Sequence, residues 1–461
     1  MASSAAPSPS PTASQALAGR IAAIHWEMLP DAVRTMSRLV ILDAIGCALN
    51  GSRTPEAARL AAARADLGPD GACTVWGTPG GAPPGVAALL NGAHTHLREL
   101  DDIGGGGHAG ASQVPAALAA AELAGREGRD VLVGLVAGHE VSSRLSDAAS
   151  YDTMTLRGWH TTGVYGSLGA AAAAARTLGL DAHDCAHALG LAGSFTGGTW
   201  AFMADGAMSK RVHPGRAAEI GLTAALLARR GVTGPAQVLD APWGGLYAAC
   251  APGESDPAVI RRNLDDGYRI LRKGFKPYPV CWGINSAADA ALALREKGDL
   301  APGDVARVRI TISEMSRRMI GTNRTASVLD AQMNLTYAVG AILLRGHLDL
   351  RDFEDAALAD PAVHAMMARI DLTVDPTAHG ERQTVEIETR DGRRLHARVE
   401  DPRGHWDNPL SDGELRAKFL GLAGPVLGAD AARAADLIGE LERPGALAAL
   451  LALLRAPAPR G

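Results

Sequence analysis

Aromatic residues are scarce in this sequence, at 4% of 461 positions. The helical interfaces are therefore expected to be lined by alanine and glycine, which leave little room for rings. No charge of one sign dominates either. A formal net charge of −5 and a pI near 6.3 give no basic excess, so neither nucleic acid nor an anionic membrane is an expected partner. The five cysteines, Cys47, Cys73, Cys185, Cys250 and Cys281, are scattered, odd in number and without a CxxC pair. That pattern argues against a disulfide framework or a cysteine-rich zinc site and fits a reducing, cytoplasmic setting. A membrane-length apolar run is also missing: GALAALLALLRA at 445–456 has about half of the roughly 20 residues a span requires, and reads as a packed helix. The N-terminal MASSAAPSPSPTAS has neither a basic start nor an apolar core, so residues 1–14 are expected to form a disordered tail rather than a secretory signal. No GxxxxGK[ST], strand-linked GxGxxG, HExxH, EF-hand loop or GxSxG elbow occurs, which removes the simplest nucleotide, zinc-protease, calcium and serine-hydrolase readings.

What is present is enough apolar sequence, 47%, to build more than one core. Residues 15–266 alternate Ala/Leu/Val-rich segments at helical spacing with Gly, Pro and Asp punctuation, and predict a mainly α domain. LPDAVRTMSRLVILDAIGCALNGS is one example, opened by Pro30-Asp31 and closed by Asn50-Gly51. The character changes over residues 267–402. ARVRITIS at 306–313 alternates as a half-buried strand does, and QTVEIETRDGRRLHARVE at 383–400 is two such runs joined by Asp391-Gly392, a hairpin signature. SVLDAQMNLTYAVGAILLRG at 327–346 has helical spacing, so this second domain mixes α and β. Residues 403–461 return to helical patterning.

Four stretches carry more polar chemistry than helix packing asks for. HTHLRELDDIGGGGHAGAS at 94–112 holds His94, His96, Glu99, Asp101, Asp102 and His108 around four glycines. These are metal-ligand types, yet His94 and His96 lack the i, i+4 spacing that puts two ligands on one helix face. The glycines would let backbone approach a ligand, and an anion near the following helix start would meet free N–H groups. RGWHTTGVYG sets His160 before an alanine-rich helix. MSKRVHPGRAAEIG clusters Lys210, Arg211, His213 and Arg216 at another helix start, where positive charge opposes the dipole and makes sense if an anion sits there. KGFKPYPVCWGINS places Lys276, Tyr278 and Cys281 around two prolines at the domain junction. Clefts between domains are common ligand sites.

Taken together, in their order and spacing, these stretches resemble the MmgE/PrpD family over about residues 15–455, with LDAIGCALNGS, KPYPVCWGINSAADAAL and MNLTYAVGAILLRG as further matching segments. The resemblance implies a mainly α fold, a large all-helical domain with a smaller inserted α/β lid, and a homodimer. It also implies a cleft between domain and lid and chemistry on small di- or tricarboxylates without an obligatory cofactor, and no metal ligand is assigned. His108, His160, Lys210 and Lys276 are the matching site positions. Three departures bear on the reaction: Ile103 stands where the family's acidic motif ends in threonine, Cys281 where decarboxylase members carry a second histidine, and Arg317 at or near the position of a lid tyrosine. They point away from decarboxylation.

The expected activity is a dehydratase-like lyase, or an isomerase or epimerase with two bases; a non-catalytic ligand-binding relative is the remaining alternative. Both reactions require a carbon beside a carboxylate to carry negative charge transiently. In this assignment Lys210, Arg211 and Lys276 clamp carboxylate, and His160 and His108 move protons as base and acid. Cys281 serves the opposite face, Asp101 and Asp102 orient His108 or Lys210, and Glu99 and Tyr278 complete the substrate-binding set.

Overall fold

The computed structural model describes residues 10–68, 70–262, 264–378 and 382–455. Among them are 20 α-helices and six strands, so the chain is mainly α. Thr12 caps the first helix, Ala13–Ala22, in a reciprocal box with Gln15, and Ser14 is fully buried. The tail expected over residues 1–14 thus gives way to ordered chain from residue 10, while 1–9 lie outside the described residues.

Two hydrophobic cores organise the molecule. The larger takes its residues from Ala13 to Phe275 and again from Leu410 to Leu454. The smaller runs from Tyr278 to Ile387. The chain therefore changes core at Lys276-Pro277, some ten residues beyond the composition break at 267, because Ile270 and Phe275 still pack into the helical core. The last helices, Asp412–Leu427, Asp430–Gly439 and Ala446–Leu454, close the helical domain, and the first of them packs on the Asp31–Gly51 helix. No described helix is long and apolar enough to cross a membrane.

In the helical domain, Thr161–Leu178 is central, contacted by Ala109–Ala124, Gly128–Ala148 and Ser209–Ala228. Small side chains make these approaches possible. A Cβ at Gly215 would lie 2.0 Å from the Leu89 carbonyl oxygen, and one at Gly92 would lie 2.7 Å from the Gly215 Cα. Only glycine at both positions lets the Pro84–His96 and Ser209–Ala228 helices come this close, and that contact brings His96 beside Lys210. The latter helix starts at Ser209, so Lys210, Arg211 and His213 lie in its first turns, with Pro214 inside the helix.

The short strands β1 (Cys73–Thr74) and β2 (Gly81–Ala82) pair antiparallel. The smaller domain holds a four-stranded sheet made of β3 (Val305–Ile312), β4 (Ile370–Val374), β5 (Gln383–Thr389) and β6 (Arg394–Val399), in the order β4-β3-β5-β6. β3 and β4 are parallel and the other pairs antiparallel. The β5–β6 hairpin turns at Asp391-Gly392, with φ of 88° at the glycine. Helix Asn285–Lys297 lies against β5 and β6. The segment 327–346 forms two helices rather than one, Val328–Gln332 and Leu335–Arg345, because the Asn334 side chain accepts the Tyr337 N–H and starts a new helix there.

Candidate active site

The acidic loop is fixed between the cores. Ile103 and Gly274 exchange backbone hydrogen bonds, N–H to oxygen 2.9 Å one way and 3.1 Å the other. This antiparallel bridge draws Lys273 and Lys276 onto the loop. Lys273 pairs with the Asp102 carboxylate and donates to the Gly104 carbonyl at 3.2 Å. Lys276 donates to Glu99 Oε1 at 3.2 Å and to the Glu99 carbonyl at 3.1 Å. From the other side Lys210 donates to Glu99 Oε2 at 2.5 Å and to His96 Nε2 at 2.9 Å.

Glu99 is thus a buried carboxylate between two ammonium groups. It adopts φ of +52°, a left-handed conformation a non-glycine residue holds only when its surroundings enforce it. Burial would raise its carboxyl, but Lys210 and Lys276 outweigh burial and hold it well below the ordinary range. Burial would likewise lower Lys276, yet Glu99 raises it, so Lys276 stays an ammonium. Lys210 is lowered, burial prevailing over Glu99.

A hydrogen-bonded series runs outward from this centre. Because Lys210 donates to Nε2, His96 is neutral and its Nδ1–H points at Asp101, 3.0 Å from both carboxylate oxygens. Burial, opposed by Asp101, lowers His96 to about 3. Asp101 is held well below its usual range, since His96 and His108 overcome its burial. His108 Nδ1 lies 2.8 Å from the Asp102 carbonyl oxygen and 3.3 Å from Asp101 Oδ2. Both neighbours are acceptors, so Nδ1 carries a proton. Asp102 itself accepts the Gly110 N–H at 3.0 Å. The helix start expected to bind a substrate anion is therefore already served by this carboxylate.

The four glycines have a steric role. Gly104 to Gly107 all have positive φ, and a Cβ on Gly106 would meet the Tyr165 ring at 2.8 Å, one on Gly107 the Thr162 hydroxyl at 2.7 Å. The loop is a tightly seated turn that delivers His108 to the cleft, not a flexible surface connection.

The cleft has a cavity of about 570 Å³, whose lining includes Glu99, His108, His160, Lys210 and Cys281. His160 Nδ1 lies 2.9 Å from His213 Nδ1, so one ring donates and the other accepts. Burial first, then Lys210, pushes His160 well below its ordinary value, which makes it a poor base. Cys281 is raised to about 11 by burial and Glu99, so it is a thiol.

Several residues singled out in the sequence do not line this cavity. Lys276 stands behind Glu99 and spends its ammonium there, so it is not on the cavity wall as the carboxylate clamp expected of it. Arg211 donates to the Leu97 carbonyl and, at 2.5 Å, to Gln332 Oε1; it caps the C-terminal end of the Pro84–His96 helix and ties it to the smaller domain, so it is no carboxylate clamp. Tyr278 donates to Asp289 Oδ1 at 2.7 Å, away from the cavity. Arg317 is bonded to the Gly321 carbonyl at 2.5 Å. Sequence reading missed Lys273, three residues before Lys276, and Arg272, an exposed cation on the cavity wall. A spacing argument attached to KGFK could have found the first. Ligand atoms of His96, Asp101 and His108 lie within 4.8 Å of one another. A metal there would have to displace the protons that both imidazoles direct at Asp101.

Two family profiles and several relatives match the chain. The MmgE/PrpD N-terminal domain profile matches residues 15–257 and the C-terminal domain profile matches 278–442. The chain is similar to the cis-aconitate decarboxylase-like protein oryM of Aspergillus oryzae, 31% identical over 92% of this chain and 94% of that protein. It is 29% identical to the human cis-aconitate decarboxylase over 94% of this chain and 92% of the relative. With the 2-methylcitrate dehydratase of Cupriavidus necator it shares 26% identity over 76% and 75% of the two chains.

Proposed function

Since the chain belongs to the MmgE/PrpD family, we propose that it is a cofactor-independent lyase that removes a proton next to a carboxylate of a small di- or tricarboxylic acid. The observation that carries this reading is the hydrogen-bonded series Glu99–Lys210–His96–Asp101–His108, of which Lys210 and His108 line the cavity. His108 is the base. Its Nδ1–H is anchored to the Asp102 carbonyl, and Asp101 stabilises the imidazolium that forms when Nε2 takes the proton. Lys210, with Glu99 and His96 fixing its position, places an ammonium where charge develops on the substrate carboxylate. Arg272 offers a second carboxylate contact at the open side. Cys281, still protonated, is positioned in the same cavity to give its proton to the departing hydroxyl, and His160 orients the substrate. The working unit in this reading is a homodimer, which light scattering in solution checks.

A protonated Cys281 on the wall with His108 also suits two-base epimerisation, and one experiment separates the outcomes. Purified protein is incubated with a panel of di- and tricarboxylates in deuterated water and the products are weighed by mass spectrometry. Loss of water supports the dehydratase reading, loss of carbon dioxide moves the assignment to decarboxylation, and deuterium uptake without mass loss moves it to epimerisation. No change with any acid, together with unchanged acid binding in Lys210→Gln, would sink the carboxylate reading.

A further inference from the structure

Outside the cleft, two histidines converge on the surface of the helical domain. His183 and His187 stand four residues apart in helix Ala182–Phe195, a spacing that puts both rings on one helix face. Their Nε2 atoms lie 3.3 Å apart, and neither residue lines the active-site cavity. The other nitrogen of each ring meets an oxygen. His183 Nδ1 is 3.1 Å from Asp184 Oδ1, and His187 Nδ1 is 3.3 Å from the Gly234 carbonyl oxygen. A carboxylate and a backbone carbonyl are the partners that orient imidazoles binding a metal through Nε2. Gly234 also holds its nitrogen 3.2 Å from His187 Nδ1. His187 can therefore carry its proton on Nε2, shared with His183, or on Nδ1, which leaves both Nε2 lone pairs for a cation.

The spacing also suits a metal. With Nε2–metal bonds of about 2.0–2.1 Å, the 3.3 Å separation corresponds to an angle of about 104–111° at the ion, close to tetrahedral. Cys185, between the two histidines, is buried, donates to the Leu180 carbonyl and is raised to about 12 by burial, so no thiolate competes. Positive charge at a helix start opposes the dipole, but Asp181 at the N-cap and Asp184 in the first turn offset it, and both offer ligand atoms within 4.8 Å of one on His183. We propose that His183 and His187 chelate a divalent transition ion of the zinc, nickel or copper class, with water in the remaining positions. Magnesium and calcium, which take oxygen ligands, are not bound there. The site is independent of the lyase reading.

The test is calorimetric titration of the full chain with zinc chloride at pH 7.5, magnesium chloride serving as control, with Tm read at each concentration. The parent is expected to take up one equivalent of zinc more than either His183→Gln or His187→Gln, and to show a zinc-dependent rise in Tm that both variants lack. Asp184→Asn is expected to weaken this equivalent by about 10–100-fold, since it loosens the His183 ring. If both histidine variants bind zinc with the stoichiometry and affinity of the parent, the ion sits elsewhere and the proposal falls. It falls equally if the parent takes up no zinc, the pair then being a hydrogen-bonded contact alone.

Discussion

At the scale of single residues, the decisive feature is that His108 has Nδ1 committed to acceptors while Nε2 meets no partner among the described residues. His108→Gln removes the base while leaving a side chain able to donate to the Asp102 carbonyl. Turnover is expected to fall by about 10²–10⁴-fold with a smaller change in KM, measured by steady-state kinetics on whichever acid the panel identifies. Asp101→Asn, acting through His108, is expected to lower kcat less and to leave KM near its original value. His94 makes the opposite case. It sits two residues from His96, yet neither ring nitrogen has a hydrogen-bond partner among the described residues, and burial lowers it to about 4. A histidine with a depressed folded pKa contributes stability that is full above its unfolded pKa of about 6.5 and is lost as pH falls toward 4, because the unfolded chain takes up the proton first. Replacing it by an apolar residue of similar size, His94→Leu, should remove this dependence. The variant is expected to gain about 2 kcal/mol relative to the parent on going from pH 7.5 to pH 5, read as a rising difference in Tm. A constant difference across that range would count against a neutral, buried His94.

At the scale of elements, the glycine turn and the β5–β6 hairpin give a matched comparison. Gly106 and Gly392 have φ of 78° and 88°, so alanine at either costs about 1–2 kcal/mol for the left-handed backbone. Only at Gly106 does the added carbon also strike a ring, Tyr165, whereas at Gly392 nothing lies within 4 Å. Gly106→Ala is therefore expected to lower both Tm and kcat, the latter more than tenfold by displacing His108, while Gly392→Ala lowers Tm slightly and leaves kcat intact. The same two turns mark how far sequence alone reaches. Asp391-Gly392 between alternating runs announces its hairpin locally, because turn type and strand period are both written within a few residues. The 104–107 glycines announce only backbone freedom; that they are packed against Thr162 and Tyr165 depends on a helix more than 50 positions away. Lys210 was legible as a cation near a helix start, but its anion, Glu99, was not assigned to it, since the pairing depends on the Gly92/Gly215 helix contact. Arg211, legible by the same signal, is used by a helix end and by Gln332 instead.

On the whole-molecule scale, the end of the chain holds the site from behind. Lys418, in the Asp412–Leu427 helix, donates to Asp43 Oδ1 at 2.6 Å, the Leu100 carbonyl at 2.7 Å and the Lys276 carbonyl at 2.9 Å. One ammonium thus joins an early helix, the acidic loop and the crossing between cores, with all three of its protons used. No local pattern distinguishes it from a surface lysine. Lys418→Met would leave Asp43 buried without its partner, at a cost of about 3–5 kcal/mol. Burial already raises Asp43 to about 6 despite Lys418, and without the lysine it should rise further. A carboxyl raised in this way contributes stability that is full below its unfolded pKa of about 3.9 and is lost as pH climbs through the folded value. The Tm deficit of Lys418→Met is therefore expected to be larger at pH 8 than at pH 5, and equal deficits would contradict a buried, unpaired Asp43. Adding Asp43→Leu should restore most of the stability, since apolar residues can replace a buried ion pair at little cost. The Leu100 and Lys276 carbonyls would still lack their donor, so kcat should remain depressed in the double variant. Full recovery of kcat along with Tm would mean that Lys418 serves the fold alone and not the placement of Glu99 and Lys276.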